Sequence, residues 1–156
     1  MWDKLRKQVA MERQELHRLL EIHRPLVLQC ATRPPSAIEL SALAAMLHAF
    51  YNGIENLLKR IAAEVDGRVP GGEFWHRELL EEMTKPNGAR PAAISEALSK
   101  RLREYLEFRH VFRQAYAFQL RWEKMSHLVL ECEDTLRLLE AELDIFLQSG
   151  KQESRD

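Results

Sequence analysis

Most of the glycine and proline in this sequence falls in three short stretches, and that clustering decides what the chain can fold into. The stretches are Pro34-Pro35, the segment from Asp66 to Gly72 and the segment from Lys85 to Pro91. Between them apolar residues recur at three- and four-residue spacing, the period of an amphipathic helix. Leu5, Val9, Leu16, Leu19, Leu20, Leu26 and Val27 predict a helix from about Trp2 to Cys30. Pro25 is expected to kink it or split off its last turn, because proline removes an i→i−4 hydrogen bond. Ser36-Ala37-Ile38-Glu39 reads as a capping box opening a second helix that runs to about Val65. Gly53 lies inside that helix at a cost of about 1 kcal/mol, so close approach of a neighbouring helix is expected there. A short helix from Glu73 to about Thr84 follows. A fourth runs from near Ala92 to about Phe118, and a last one from Trp122 to Gln148. No alternating strand pattern is present. The expectation is an all-α bundle of four long helices plus one short one, a single domain over 1–149 with a flexible polar tail over 150–156.

The overall charge narrows the function classes. A net charge of −1 excludes the strongly basic surface of a general nucleic-acid binder, so any RNA contact has to come from a local arginine cluster. Cys30 and Cys132 lack CxxC spacing and read as buried, reduced thiols of a cytoplasmic protein. No signal-peptide pattern and no membrane-length apolar run is visible.

One such arginine cluster exists. On the fourth helix, Arg109, Phe112, Arg113 and Tyr116 fall within one sector at about 100° per residue, and Arg103, His110 and Gln114 form a stripe beside it. Arginine offers phosphate a rigid, permanently charged fork, and histidine can move a proton near neutral pH. The competing reading is a solvated face with helix-stabilising pairs such as Glu107 with Arg103. Two Glu-x-x-His pairs, Glu73 with His76 and Glu107 with His110, match the ligand spacing of di-iron bundles, with Glu55 as a further donor. Glu73 lies in the first turn of a short helix beside Gly71-Gly72, and the match reads as chance. No metal is expected. His76, beside Trp75, reads as a packing and capping residue. His17, His23, His48 and His127 show no partner in the pattern. Asn52 and Glu55 are either buttresses of the fourth helix or plain surface residues.

The run from Tyr105 to Tyr116 resembles the R-X4-H-X-Y motif of HepT-like toxins in the HEPN superfamily, as Arg109, four residues, Gln114, Ala115, Tyr116. Phe118-Gln119-Leu120-Arg121-Trp122, Phe50-Tyr51-Asn52-Gly53-Ile54-Glu55-Asn56 and Gly72-Glu73-Phe74-Trp75-His76-Arg77-Glu78-Leu79-Leu80 add to the likeness, which spans about Leu19 to Trp122. The resemblance implies a HEPN-like helical bundle and a metal-independent endoribonuclease without cofactor. It also implies a homodimer that assembles its RNA site from both protomers, and a toxin–antitoxin role. Arg109, the residue at position 114 and Tyr116 would then be catalytic, with Arg103 and Arg113 on RNA phosphates. The implied partner is an MNT-type nucleotidyltransferase antitoxin, which in some modules attaches AMP to the motif tyrosine, here Tyr116.

The departure is Gln114, where the family motif has histidine. An amide hydrogen-bonds a phosphate but cannot act as a proton shuttle at neutral pH, so impaired cleavage is expected. Three explanations stand: an engineered disarming, a natural decayed or binding-only homologue, or His110 working with Arg103 at R-X6-H spacing. The first two rank above the third, because Tyr116 keeps the register of Arg109 and Gln114. A non-enzymatic alternative is an antitoxin-like helical module that binds a nucleotidyltransferase.

Overall fold

The computed structural model describes residues 2–116 and 119–153. Among these residues six α-helices follow one another: α1 (Trp2–Cys30), α2 (Ala37–Ile61), α3 (Trp75–Met83), α4 (Glu96–Gln114), α5 (Trp122–Leu130) and α6 (Cys132–Glu153). The described residues contain no strand, only an isolated bridge between Asn87 and Arg90. The all-α bundle is as the sequence pattern predicts, but the count of four long helices and one short one is not.

Helix α2 is the centre of the bundle. Leu43, Ala44, Leu47, Phe50, Tyr51, Ile54, Leu57, Leu58 and Ile61 are fully buried along it. It packs against α1, α3, α4 and α5, while α6 closes the far side against α1, α4 and α5. The capping box is present: the Glu39 amide donates to Ser36 Oγ at 3.2 Å, and the Ser36 amide donates to Glu39 Oε1 at 2.9 Å. Gly53 lies where expected, under a neighbouring helix. A Cβ there would come within 2.6 Å of Leu16 Cδ2 on α1. The helix ends in a π-helical turn, Ala62–Asp66, closed by Gly67 at φ 77°, a left-handed conformation that glycine adopts without strain.

Pro25 does not break α1, which continues to Cys30. The carbonyl it leaves without an amide partner belongs to exposed Glu21, where water can satisfy it. Helix α4 starts later than the pattern predicts. The Ala93 and Ile94 amides donate to the Met83 carbonyl at 2.9 and 3.1 Å and hold this stretch against the end of α3. Ser95 then caps α4, accepting from the Leu98 amide at 3.1 Å while its hydroxyl donates to Glu142 of α6 at 3.0 Å. The helix also ends earlier, at Gln114, with Ala115 extended. The expected end at Phe118 falls outside the described residues.

The predicted last helix is two helices. Tyr105 of α4 donates its hydroxyl to the Leu128 carbonyl at 2.7 Å, taking the acceptor that the Cys132 amide would use in a continuous helix. Thr135 Oγ1 donates to the Glu131 carbonyl at 2.8 Å and secures the new start. Tyr105→Phe is therefore expected to lower stability by about 1–3 kcal/mol, through an unsatisfied buried carbonyl. Thermal unfolding checks it, and an unchanged midpoint would refute this account of the break. Beyond Gln148, α6 continues to Glu153, and Gly150 is buried against the Trp2 indole. Residues 154–156 lie outside the described residues. Cys30 and Cys132 are both free and buried, and burial pushes both thiols up.

The loop after α3 is fixed from within. Arg90 is buried, with Nε and Nη2 donating to the two carboxylate oxygens of Asp66 at 2.7 and 2.9 Å. Its remaining N–H groups serve the carbonyls of Lys85, Pro91 and Glu82 at 3.1, 3.0 and 3.3 Å. This arginine thus closes the end of α3 and ties it to the turn that ends α2.

Candidate functional site

Three residues of α2, His48, Asn52 and Glu55, follow i, i+4, i+7 spacing and so share one helix face. That face meets α4 and α3. Glu55 is only 4% exposed, a position a carboxylate occupies only when paired. Its partners come from two helices. His76 Nδ1 of α3 lies 2.7 Å from Glu55 Oε2, and Arg109 Nη1 of α4 lies 3.6 Å from Oε1. Arg109 Nη1 is also 3.3 Å from His76 Nδ1. Both of those nitrogens cannot donate to each other, so the short bond fixes the chemistry: Nδ1–H of His76 donates to Glu55, and Arg109 faces the same carboxylate as a charge. The Trp75 ring stacks on His76 with centroids 3.7 Å apart, and the Lys59 ammonium sits 4.4 Å from the Trp75 centroid.

Two buried atoms in this cluster, Tyr51 Oη and Arg109 Nε, have no hydrogen-bond partner among the described residues. Burial, then the Glu55 charge, pushes the Tyr51 hydroxyl far up, so it stays protonated. One turn before Tyr51, the His48 ring packs on Phe112 with centroids 5.2 Å apart. Burial, then the charges of Arg109 and Arg113, holds His48 below the ordinary histidine value. Asn52 Nδ2 lies 3.4 Å from His48 Nδ1.

The sequence-predicted residues distribute as follows. Arg109 is in the cluster, its side chain 15% exposed. Arg113, one turn on, is exposed and has no ion-pair partner among the described residues. Gln114 ends the helix in solvent, its Nε2 3.4 Å from His110 Nε2. Tyr116 is not on the helix, so the expected shared sector with Arg109 does not form. It follows extended Ala115, is 71% exposed, and its amide donates to Gln119 Oε1 at 3.1 Å. Arg103 turns toward α3, with Nη2 3.7 Å from Glu81, rather than pairing with Glu107. By helical rotation Gln114 stands about 140° round from Arg109, so within one protomer the two point to different sides.

Glu55 acts as a buttress of α4, Asn52 contacts His48, and His76 is an ion-pair partner rather than a cap. The other histidines are partnered too: His17 with Glu140 at 2.7 Å, His23 with the Leu19 carbonyl at 2.9 Å, and His127 with Glu104 at 3.8 Å. The Glu55–His76–Arg109 cluster and His48 are what sequence reasoning missed. The available signal was the 48, 52, 55 spacing on a helix whose buried face is otherwise apolar. Among the described residues no group of three His, Cys, Asp or Glu side chains could hold a metal. A guanidinium occupies the place beside Glu55 and His76 that a cation would take.

Glu55→Gln is expected to destabilise the fold by about 2 kcal/mol, since it strips the counter-charge from a largely buried arginine. Adding Arg109→Met to it should recover part of that loss. Chemical denaturation of the two single variants and the double variant checks this; strictly additive losses would show that the pair is not coupled.

Such an arrangement defines a class: an all-helical domain with an arginine anchored near the end of α4 and an exposed arginine one turn beyond it. A family model described as HepT-like protein matches residues 42–149, which include the whole of this cluster. The chain belongs to the HepT-like protein family, whose members usually work in toxin–antitoxin pairs. No curated protein and no solved structure gives a significant match. No helix among the described residues is long and apolar enough to cross a membrane.

Proposed function

We propose that this chain is the toxin of a two-component toxin–antitoxin module and a metal-independent endoribonuclease that acts as a homodimer in the cytoplasm. The observation that carries this reading is Arg109, held against buried Glu55 at the end of α4, with Arg113 and His110 exposed beside it. Anchored arginine charge stabilises the phosphorus centre as the scissile bond breaks. Gln114, at the end of the outer stripe, stands about 140° round from Arg109, and this favours a site completed by the second protomer. Gln114 weakens cleavage because its amide does not take up or release a proton near neutral pH. The partner is an MNT-type nucleotidyltransferase, and the exposed Tyr116 phenol is the group to which it attaches AMP. The second reading is an antitoxin-like binding module, favoured by the exposure of Val111 next to this site.

A gel assay for RNA cleavage on the native chain and on Gln114→His separates the two. Absence of cleavage and of growth arrest in both would leave the binding module. A monomer at micromolar concentration by light scattering would refute the composite site. Intact mass after co-expression with the nucleotidyltransferase tests Tyr116.

A further inference from the structure

The residue that shares the Arg109 face is neither Gln114 nor His110 but His48, on a different helix. Phe112 and Arg113 lie within about 60° of Arg109 around α4, and the His48 ring packs on Phe112. The ring is half-buried, and both Arg109 and Arg113 lie close enough to act on its charge. Its Nδ1 faces the Asn52 amide.

We propose that His48 is the proton carrier of this chain's RNA site, taking the role that Gln114 cannot fill. The inference rests on the ribonuclease reading above and assigns its missing group. A ribose 2′-hydroxyl attacks phosphorus: the 2′-O–P bond forms, the P–O5′ bond breaks, and the 2′ proton passes to His48 Nε2. The leaving 5′ oxygen takes a proton from water, and the imidazolium returns its own to solvent. The products are a 2′,3′-cyclic phosphate and a 5′-hydroxyl. Arg109 and Arg113 hold the phosphate through this exchange.

Asn52 is the positioning residue. As placed, Nδ2 faces Nδ1 of the ring; a half-turn of the amide exchanges its two ends within the same space. Oδ1 then accepts from Nδ1–H in both the neutral and the charged ring, leaving Nε2 as the nitrogen that exchanges the proton. The charged groups that act on His48 are Arg109 and Arg113 of α4, and together with burial they keep the ring neutral at physiological pH. A base has to start in that form.

The test uses the purified full chain, in chelator, on a labelled mixed-sequence single-stranded RNA. The native protein is expected to cleave slowly, and His48→Asn to lower the rate about 100-fold. His17→Asn, on α1 and paired with Glu140 of α6, is expected to leave it unchanged. Added imidazole should restore part of the rate to His48→Gly, which a purely structural role would not permit. The native rate should rise with pH through a transition below the ordinary histidine value. If His48→Asn fails to fold by circular dichroism, that profile and the imidazole rescue decide. A loss confined to His110→Asn overturns the assignment. So does cleavage by Gln114→His but not by the native chain, which leaves the ribonuclease reading standing. No cleavage by either protein removes both.

Discussion

Gln114→His is expected to raise the rate of RNA cleavage by about 10²–10⁴, the range that a positioned general acid or base contributes. Position 114 closes the last turn of α4, exposed and one turn beyond His110. An imidazole there enters solvent on the stripe that faces away from Arg109, where a second protomer would meet it. Nothing needs to repack, because Gln114 is exposed and its side-chain contact among the described residues, to His110, is a long 3.4 Å. The gain should therefore come without a change in thermal midpoint. It should also vanish under conditions that separate the protomers, since Arg109 and position 114 point apart within one chain. Single-turnover cleavage at a series of protein concentrations measures both. A gain independent of concentration would place the whole site inside one protomer.

The largest effect on stability is expected from Arg90→Met, a loss of about 3–5 kcal/mol, because it breaks a buried ion pair from one side. The Arg90 side chain is 1% exposed and that of Asp66 10%, so the remaining carboxylate would lack both charge and solvent. Carbonyls at the end of α3 would lose their donors as well. The pair also sets an acid limit. Burial alone would raise Asp66, but hydrogen bonds from Arg90 and Asn87 and the Arg90 charge outweigh it and hold the carboxyl below its ordinary value. A depressed folded-state value contributes stability that is complete above the unfolded value, about 3.9, and is lost as pH falls through the folded one. The native chain should lose stability across that window, and Arg90→Met should lose less there. Denaturant midpoints at pH 7 and at pH values below 4 measure it; an equal acid loss in both proteins would refute the role of the pair.

Helix positions were legible wherever local chemistry decides them. Ser36 and Glu39 are neighbours in sequence, so their reciprocal cap could be read directly, and Gly53 announced a close approach by its cost in a helix. The break between α5 and α6 was not legible, because no glycine or proline marks it. It depends on a hydroxyl from Tyr105, which reaches Leu128 only once α4 has packed. The site divides the same way. Arg109 and Arg113 stood out as cations at helical spacing near the end of α4. The partners that give Arg109 its setting, Glu55 and His76, come from helices distant in sequence: Glu55 read equally as a buttress or a surface residue, and His76 read as a packing and capping residue. Tyr116 was misplaced because the apolar period runs on past Gln114, whereas the backbone turns extended at Ala115.

Helix α4 can also be regarded as a beam. Its 19 residues make it about 28 Å long, and Ser95 and Glu142 clamp one end to α6. Arg113 and Gln114, of the candidate site, ride on the opposite tip. A tilt of about 2° at the root would carry the tip about 1 Å, a displacement that can cost a reaction about 100-fold. The Glu55–Arg109 pair is the second support, little more than one turn short of the tip. On the ribonuclease reading proposed above, aim at the phosphodiester is set by two fastenings near opposite ends of one rod, and the Ser95–Glu142 one governs it from a distance without touching the RNA.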